Sequence, residues 1–390
     1  MNLKVLGRLG SSFVVLFLAS LPGFSADQGA GKDVAAALQP FVEKGNLAGA
    51  VVLVADKDKV LAHEAVGYSD VAAKTPMALD SVFWIASQSK PITAVALMIL
   101  VDEGKVKLDD PIAKYLPEFN GMWVAVEKDK DHILLKRPAR AVTVRDVLSH
   151  TSGLPFASVA EQPTLDALSL RTAVKTYAMT PLEADPSVKY QYSNAGINIA
   201  GRIIEVVSNM SYEEFLDKRL LVPLGMLDTT FWPSETQVKR LAKVYKPNAV
   251  KVGLEETKIG QLQSPLSDRI KRFPMPAGGL FSTAADVGRF CQMMLNGGTL
   301  DGKRVLSENA VKEMSMRQTP ASMKESYGLG FAVGDGNYGH GGALATNMTI
   351  DTKRGLVYVY LIQHAGFPGD GASAQGAFRK VAEKQFGAGQ

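Results

Sequence analysis

Ser87-Gln88-Ser89-Lys90, running into Pro91-Ile92-Thr93-Ala94-Val95-Ala96-Leu97-Met98-Ile99-Leu100, decides how this 390-residue chain is read. It is the only Ser-x-x-Lys in the sequence, and it opens a long apolar helical pattern that stops at Gly104. Residues at i and i+3 share a helix face. A neutral lysine amine there can take the proton of the serine hydroxyl and turn a weak nucleophile into a usable one. Pro91 falls in the first turn, where its missing N–H is tolerated. A helix start also offers unpaired N–H groups and a positive dipole end, which favour negative charge developing during acyl attack. Spacing alone also admits a serine cap beside a solvated lysine, because roughly one or two chance matches are expected in a chain of this length.

Two further elements follow in order. Tyr192-Ser193-Asn194 is the only Tyr-x-Asn, and His340-Gly341-Gly342-Ala343 precedes a strand-like run near the C-terminus. Read alone, Tyr192 could be a loop aromatic, Asn194 a helix cap before Ala195–Val207 and His340 a histidine at a strand end.

Taken together, these three elements resemble the serine β-lactamase and penicillin-binding superfamily. They are most similar to class C β-lactamases, to D-alanyl-D-alanine carboxypeptidases with a His-x-Gly third motif and to family VIII carboxylesterases. Leu148-Ser149-His150-Thr151-Ser152-Gly153-Leu154, Leu108-Asp109-Asp110-Pro111, Tyr115-Leu116-Pro117-Glu118 and Gly278-Gly279-Leu280-Phe281-Ser282-Thr283 resemble further family segments. The likeness runs over roughly residues 40–365.

The resemblance implies Ser87 as nucleophile, with Lys90 and a low-pKa Tyr192 moving protons. Asn194 would hold Lys90 or the substrate carbonyl. The N–H groups of Ala343 and Ser87 would form the oxyanion hole, with Gly342 allowing close approach. His340 stands where the lactamase branch has lysine. It occurs in the carboxypeptidase and esterase branches, and a mostly neutral imidazole gives a substrate carboxylate little fixed attraction.

The fold implied is α/β (α+β), a two-lobe β-lactamase-like architecture. An antiparallel sheet of about five strands is expected from both chain ends, flanked by helices. Strands are read at Leu47–Ala55, Val60–Gly67, Tyr327–Val333, Ala345–Ile350 and Leu356–Ile362. The sheet lobe is expected over about 27–86 and 275–390, and a central all-helical lobe over about 87–274, with a hairpin inserted at 121–142. Helical patterns fall at 143–149, 164–179, 195–208, 212–220, 284–296 and 372–386, and an N-terminal one at 33–44.

Residues 1–26 read as a secretory signal peptide: Lys4 and Arg8, then the apolar run at 11–21, then Pro22-Gly23. Cleavage after Ser25 puts Gly23 at −3, whereas cleavage after Ala26 would put Phe24 there. The apolar run is short of the ~20 residues a membrane anchor needs. The chain is therefore expected in the periplasm or secreted, without stable membrane insertion after signal removal.

Forty-three Lys and Arg against 39 Asp and Glu give +4, with the basic residues scattered, so nothing suggests a nucleic-acid partner. The lone Cys291 excludes an intrachain disulfide and is read as core. His63, His132 and His364 show no zinc spacing, and His150 is read as structural, since the lysine–tyrosine pair already serves as base. No Gly-x-Ser-x-Gly elbow, phosphate loop or dinucleotide fingerprint occurs. No metal or other cofactor is expected. The expected activity is hydrolysis of a small ester, amide or peptide through an acyl-enzyme, with an esterase first. A D-Ala-D-Ala carboxypeptidase, D-aminopeptidase or β-lactamase is the alternative. A penicillin-binding sensor with little turnover is the rival from another class.

Overall fold

The computed structural model describes residues 34–387, so the signal-peptide reading lies outside the described residues. A seven-stranded antiparallel sheet joins the two ends of the chain. Its strands are β1 (Gly49–Ala55), β2 (Val60–Asp70), β3 (Thr75–Pro76), β4 (Ala332–Val333), β5 (Asn337–Gly341), β6 (Asn347–Asp351) and β7 (Leu356–Leu361). Their order is β4-β5-β6-β7-β1-β2-β3. Two more strands are present than the sequence suggested, β3 and β5: β3 is only two residues long and carries no readable period, and β5 (Asn337-Tyr338-Gly339-His340-Gly341) is interrupted by glycines. The Tyr327–Val333 run contributes only Ala332–Val333.

β1 and β7 are apolar and buried on both faces, which explains why they lie at the centre of the sheet. Val51, Leu53 and Ala55 of β1, with Val357, Val359 and Leu361 of β7, enter the main core. Ala50, Val52 and Val54, with Tyr358 and Tyr360, face the other way onto Leu38, Ala374, Phe378 and Ala382. Helices at both chain ends thus cover one face, the C-terminal one being Ala374–Phe386.

The other face carries the helices that hold the site. The helix α1 (Ser89–Asp102) is buried from Ser89 through Leu100, as expected of a segment apolar all round. It packs against α2 (Asn194–Ser208), while α3 (Ala284–Leu295) lies against β1, β6 and β7. Cys291, on α3, is buried beside Met348, as its reading required.

The hairpin expected at 121–142 is present, Val124–Lys128 pairing with Ile133–Lys136, and the segment expected to be otherwise helical also carries a second one, in which Val244–Pro247 pairs with Leu254–Thr257. The helix read at 164–179 begins only at Leu170, capped by Ser169. Asp166 is held instead in a buried ion pair with Arg272 at 2.6 Å, which draws the chain before Ser169 away from the helix. Among the described residues no helix is long and apolar enough to cross a membrane.

Candidate active site

Ser87 sits at the entrance to α1, in a single tight turn over Ala86–Gln88. Ala86 is held at φ +47°, a left-handed conformation that costs an L-residue energy and is kept only where its surroundings enforce it. Ser89 enforces it: its hydroxyl donates to Ala86 O at 2.7 Å and accepts from Leu280 N–H at 3.2 Å. The second serine of the motif is therefore buried and structural, and Ser87 is the one exposed to the cleft.

Lys90 is fully buried. Its Nζ lies 3.1 Å from Ser87 Oγ, 2.7 Å from Asn194 Oδ1 and 2.8 Å from Ala277 O. Burial pushes its pKa well below the ordinary lysine value. The three partners then fix the amine's orientation. The Asn194 and Ala277 oxygens can only accept, so they take the two N–H bonds of a neutral amine. Its lone pair is left facing the Ser87 hydroxyl, the one partner able to donate.

Tyr192 closes the other side of Ser87. Burial raises its pKa to about 12, and its contact with the Ser87 hydroxyl only partly opposes this. The expected low-pKa phenol is thus not found. Lys90 Nζ stands over the Tyr192 ring face, 4.6 Å from the centroid, rather than at the oxygen, and so gives a phenolate no direct partner. Asn194 is not the cap of α2 either. Ser193 is: its side chain accepts from Gly196 N–H at 3.1 Å, which leaves the Asn194 amide free for Lys90.

His340 is brought close but is not among the residues that line the cavity. It is on β5, where β4 pairs only as far as Gly339, so the His340–Gly341 end has a neighbour on the β6 side alone. Its ring is buried and does not line the cleft. Nδ1 lies 2.6 Å from Gly341 O and Nε2 3.0 Å from the Tyr327 hydroxyl. The carbonyl can only accept, so Nδ1 carries the proton and Nε2 accepts from Tyr327. Burial first, and then Lys90, lower its pKa to about 3. A direct substrate contact for His340, expected from the sequence, is not what the geometry supplies.

Gly342 and Ala343 do line the cleft. Gly342 N–H is taken by Thr346 O at 2.8 Å. Among the described residues no acceptor takes Ala343 N–H, which leaves it available beside Ser87 for a developing oxyanion. His150 is structural: it ends Val144–Ser149 at φ +60°, its Nδ1 accepts from Ser193 N–H at 3.2 Å, and its ring lies 4.6 Å from that of Tyr192.

The cavity at Ser87 has a volume of about 320 Å3. Its walls include Trp84, Phe156, Gln261 and Met275, none of which sequence reasoning singled out. Isolated aromatics and a lone glutamine have no pattern by which to find them. Ala277 was also missed, because its contribution is a backbone carbonyl. Among the described residues no three metal-ligating side chains converge.

Fold and site together are those of the β-lactamase-like serine hydrolases, and comparison with known proteins places the chain in that family. The family described as Beta-lactamase matches residues 34–383, and the chain belongs to it. Protein Rv1367c of Mycobacterium tuberculosis is 32% identical over 368 residues, covering 84% of this chain and 89% of that protein. Penicillin-binding protein 4 of Amycolatopsis lactamdurans is 34% identical over 280 residues, covering 68% of this chain and 66% of its own. Among solved structures, EstCE1, described as a hydrolase with promiscuous acyltransferase activity, superposes with a TM-score of 0.75 at 23% identity, covering 90% of this chain and 97% of its own. At that identity the likeness is one of fold.

Proposed function

We propose that the protein is an esterase that forms an acyl-enzyme on Ser87 from small, uncharged esters. Ser87 Oγ attacks the carbonyl while Lys90 takes its proton. The N–H groups of Ala343 and Ser87 receive the oxyanion. The proton then passes to the leaving alcohol, with the neutral Tyr192 hydroxyl beside Ser87 as the relay. Water attacks the acyl-enzyme with Lys90 again as base.

The observation that carries the substrate class is the lining of the cavity. Trp84, Phe156 and Met275 are apolar, and no Lys, Arg, Asp or Glu lies among the lining residues. Lys90 is behind Ser87 and has its partners, and His340 is neutral and does not line the cavity. A substrate carboxylate would be desolvated without a counter-charge, which is costly. The sequence reading of an export signal supports a periplasmic or secreted place of action.

The test is kcat/KM for p-nitrophenyl butyrate, a cephalosporin and a peptide ending in D-Ala-D-Ala. The neutral ester should lead. A preference for either anionic substrate would overturn the esterase reading in favour of the lactamase or peptidase one.

A further inference from the structure

Besides Ser87, which donates to it, Lys90 depends on two acceptors, and both are governed by α2. Asn194 Oδ1 accepts directly from Lys90. One turn on, Asn198 Oδ1 accepts from Ala277 N–H at 3.1 Å, and Ala277 is the residue whose carbonyl accepts from Lys90 at 2.8 Å. The chain of bonds continues away from the cleft. Asn198 Nδ2 donates to the Tyr177 hydroxyl at 2.9 Å, and Tyr177 donates to Glu161 Oε1 at 2.6 Å. Glu161 Oε2 accepts from Ser158 N–H at 2.7 Å. Asn198, Tyr177 and Glu161 are each at most 2% exposed.

The direction of every bond in this chain is fixed at its ends. Ala277 N–H can only donate, so Asn198 must present its oxygen there and its NH2 to Tyr177. The carboxylate of Glu161 can only accept, so Tyr177 must point its hydrogen at Glu161. Burying a carboxylate is expensive, and burial indeed raises the pKa of Glu161. A single asparagine–backbone bond could have held Ala277 without it. The carboxylate's effect is to orient the tyrosine and, through it, the asparagine amide.

The segment it holds is also gripped by its neighbours. Thr93, on α1, donates to Pro276 O at 2.7 Å, and Gly201 lets α2 approach Pro276 so closely that a Cβ there would lie 2.4 Å from its Cγ. Ala277 is thus clamped between α1 and α2, with its carbonyl aimed at Lys90.

We propose that Glu161, Tyr177 and Asn198 are positioning residues for the base: they fix Ala277 so that its carbonyl holds the Lys90 amine with its lone pair on Ser87. This rests on the reading of Lys90 as the base. A loosened Ala277 lets the amine rotate off Ser87 and lets water reach it. Hydration returns the amine toward its ordinary, protonated state, so the acid limb of the rate profile moves to higher pH.

The experiment compares Tyr177→Phe and Glu161→Gln with wild type and Lys90→Met, on the full chain and a neutral p-nitrophenyl ester. Both positioning variants should lose about tenfold in kcat, keep KM within about twofold and move the acid limb of kcat upward by about half a pH unit or more. A kcat within about twofold of wild type with an unmoved acid limb overturns the proposal, whatever happens to KM or Tm. Should Tyr177→Phe not fold, Glu161→Gln, which keeps every packing atom, decides between the same two outcomes. Full turnover in Lys90→Met would bring down the reading of the base and this proposal together. Loss in Lys90→Met with no effect in the two others would bring down this proposal alone.

Discussion

Replacing Gly342 by alanine tests the oxyanion geometry with a single methyl group. Gly342 is not at a positive φ, so the backbone itself accepts alanine. The obstacle is space. A Cβ there would stand 2.2 Å from Thr346 Oγ1 and 2.5 Å from Ile85 O. The threonine hydroxyl can rotate, but Ile85 O is backbone, two residues before Ser87. Its 2.5 Å separation falls about 0.9 Å short of the 3.4 Å at which ordinary contact begins. The strand end must therefore retreat from the Ser87 turn by roughly that amount, carrying Ala343 N–H with it. A misplacement of about 1 Å can cost on the order of 100-fold, and loss of one oxyanion donor about 100- to 1,000-fold in kcat. The expectation for Gly342→Ala is a kcat on p-nitrophenyl butyrate about 100-fold lower, KM within about threefold and a covalent label at Ser87 that forms slowly but completely. A folded variant with kcat within about threefold of wild type would refute the placement of the oxyanion site between Ser87 and Ala343.

Lys90→Met should cost at least about 100-fold in kcat, and Tyr192→Phe a similar amount, with the fold retained by circular dichroism; a larger loss in His150→Ala than in both would favour a histidine base. Ser89→Ala should keep the covalent label on Ser87 but lower stability by about 1–3 kcal/mol in denaturant titration, because buried Leu280 N–H loses its acceptor and Ala86 O keeps the Ser89 backbone N–H. Stability should also fall below neutral pH. His340 and His364 are held down to about 3 and about 4 by burial, and His150 well below its ordinary value. The unfolded chain binds these protons first, so their contribution is complete above about 6.5 and is lost as pH falls toward the folded values, at about 2 kcal/mol per fully buried imidazole by pH 5. Asp286, raised to about 6 by burial, offsets part of this. Tm by scanning calorimetry should drop by several degrees between pH 7.5 and 5; a flat profile would contradict the buried neutral histidines.

What the sequence made legible was the chemistry carried by side chains at fixed short spacings. Ser87 and Lys90 are one turn apart, so their contact follows from helix geometry alone, and Tyr192 and Asn194 are brought to them by the way α2 packs on α1. The continuous apolar runs of β1 and β7 likewise announced strands. Three things did not show. A strand of two residues, such as β3, is made by pairing rather than by pattern. Backbone contributors, Ala277 O and Ala343 N–H, have no residue-type signature. Buried electrostatics also depends on what surrounds a group: Tyr192 looks like a phenol beside a lysine, yet the lysine meets its ring rather than its oxygen, and burial moves its pKa upward. Tyr327 was read as the start of a strand. Gly328 and Gly330 break that run, Gly330 at φ +80°, and the tyrosine is left to donate to His340.

The central claim is that acyl transfer passes through Ser87. Its most direct test is intact-protein mass after brief exposure to an activated ester or a fluorophosphonate, in wild type, Ser87→Ala and Ser89→Ala. One adduct, mapped to Ser87 by peptide digestion, is expected in wild type and in Ser89→Ala, and none in Ser87→Ala. An adduct that persists in Ser87→Ala, or that disappears with Ser89 instead, would contradict the account.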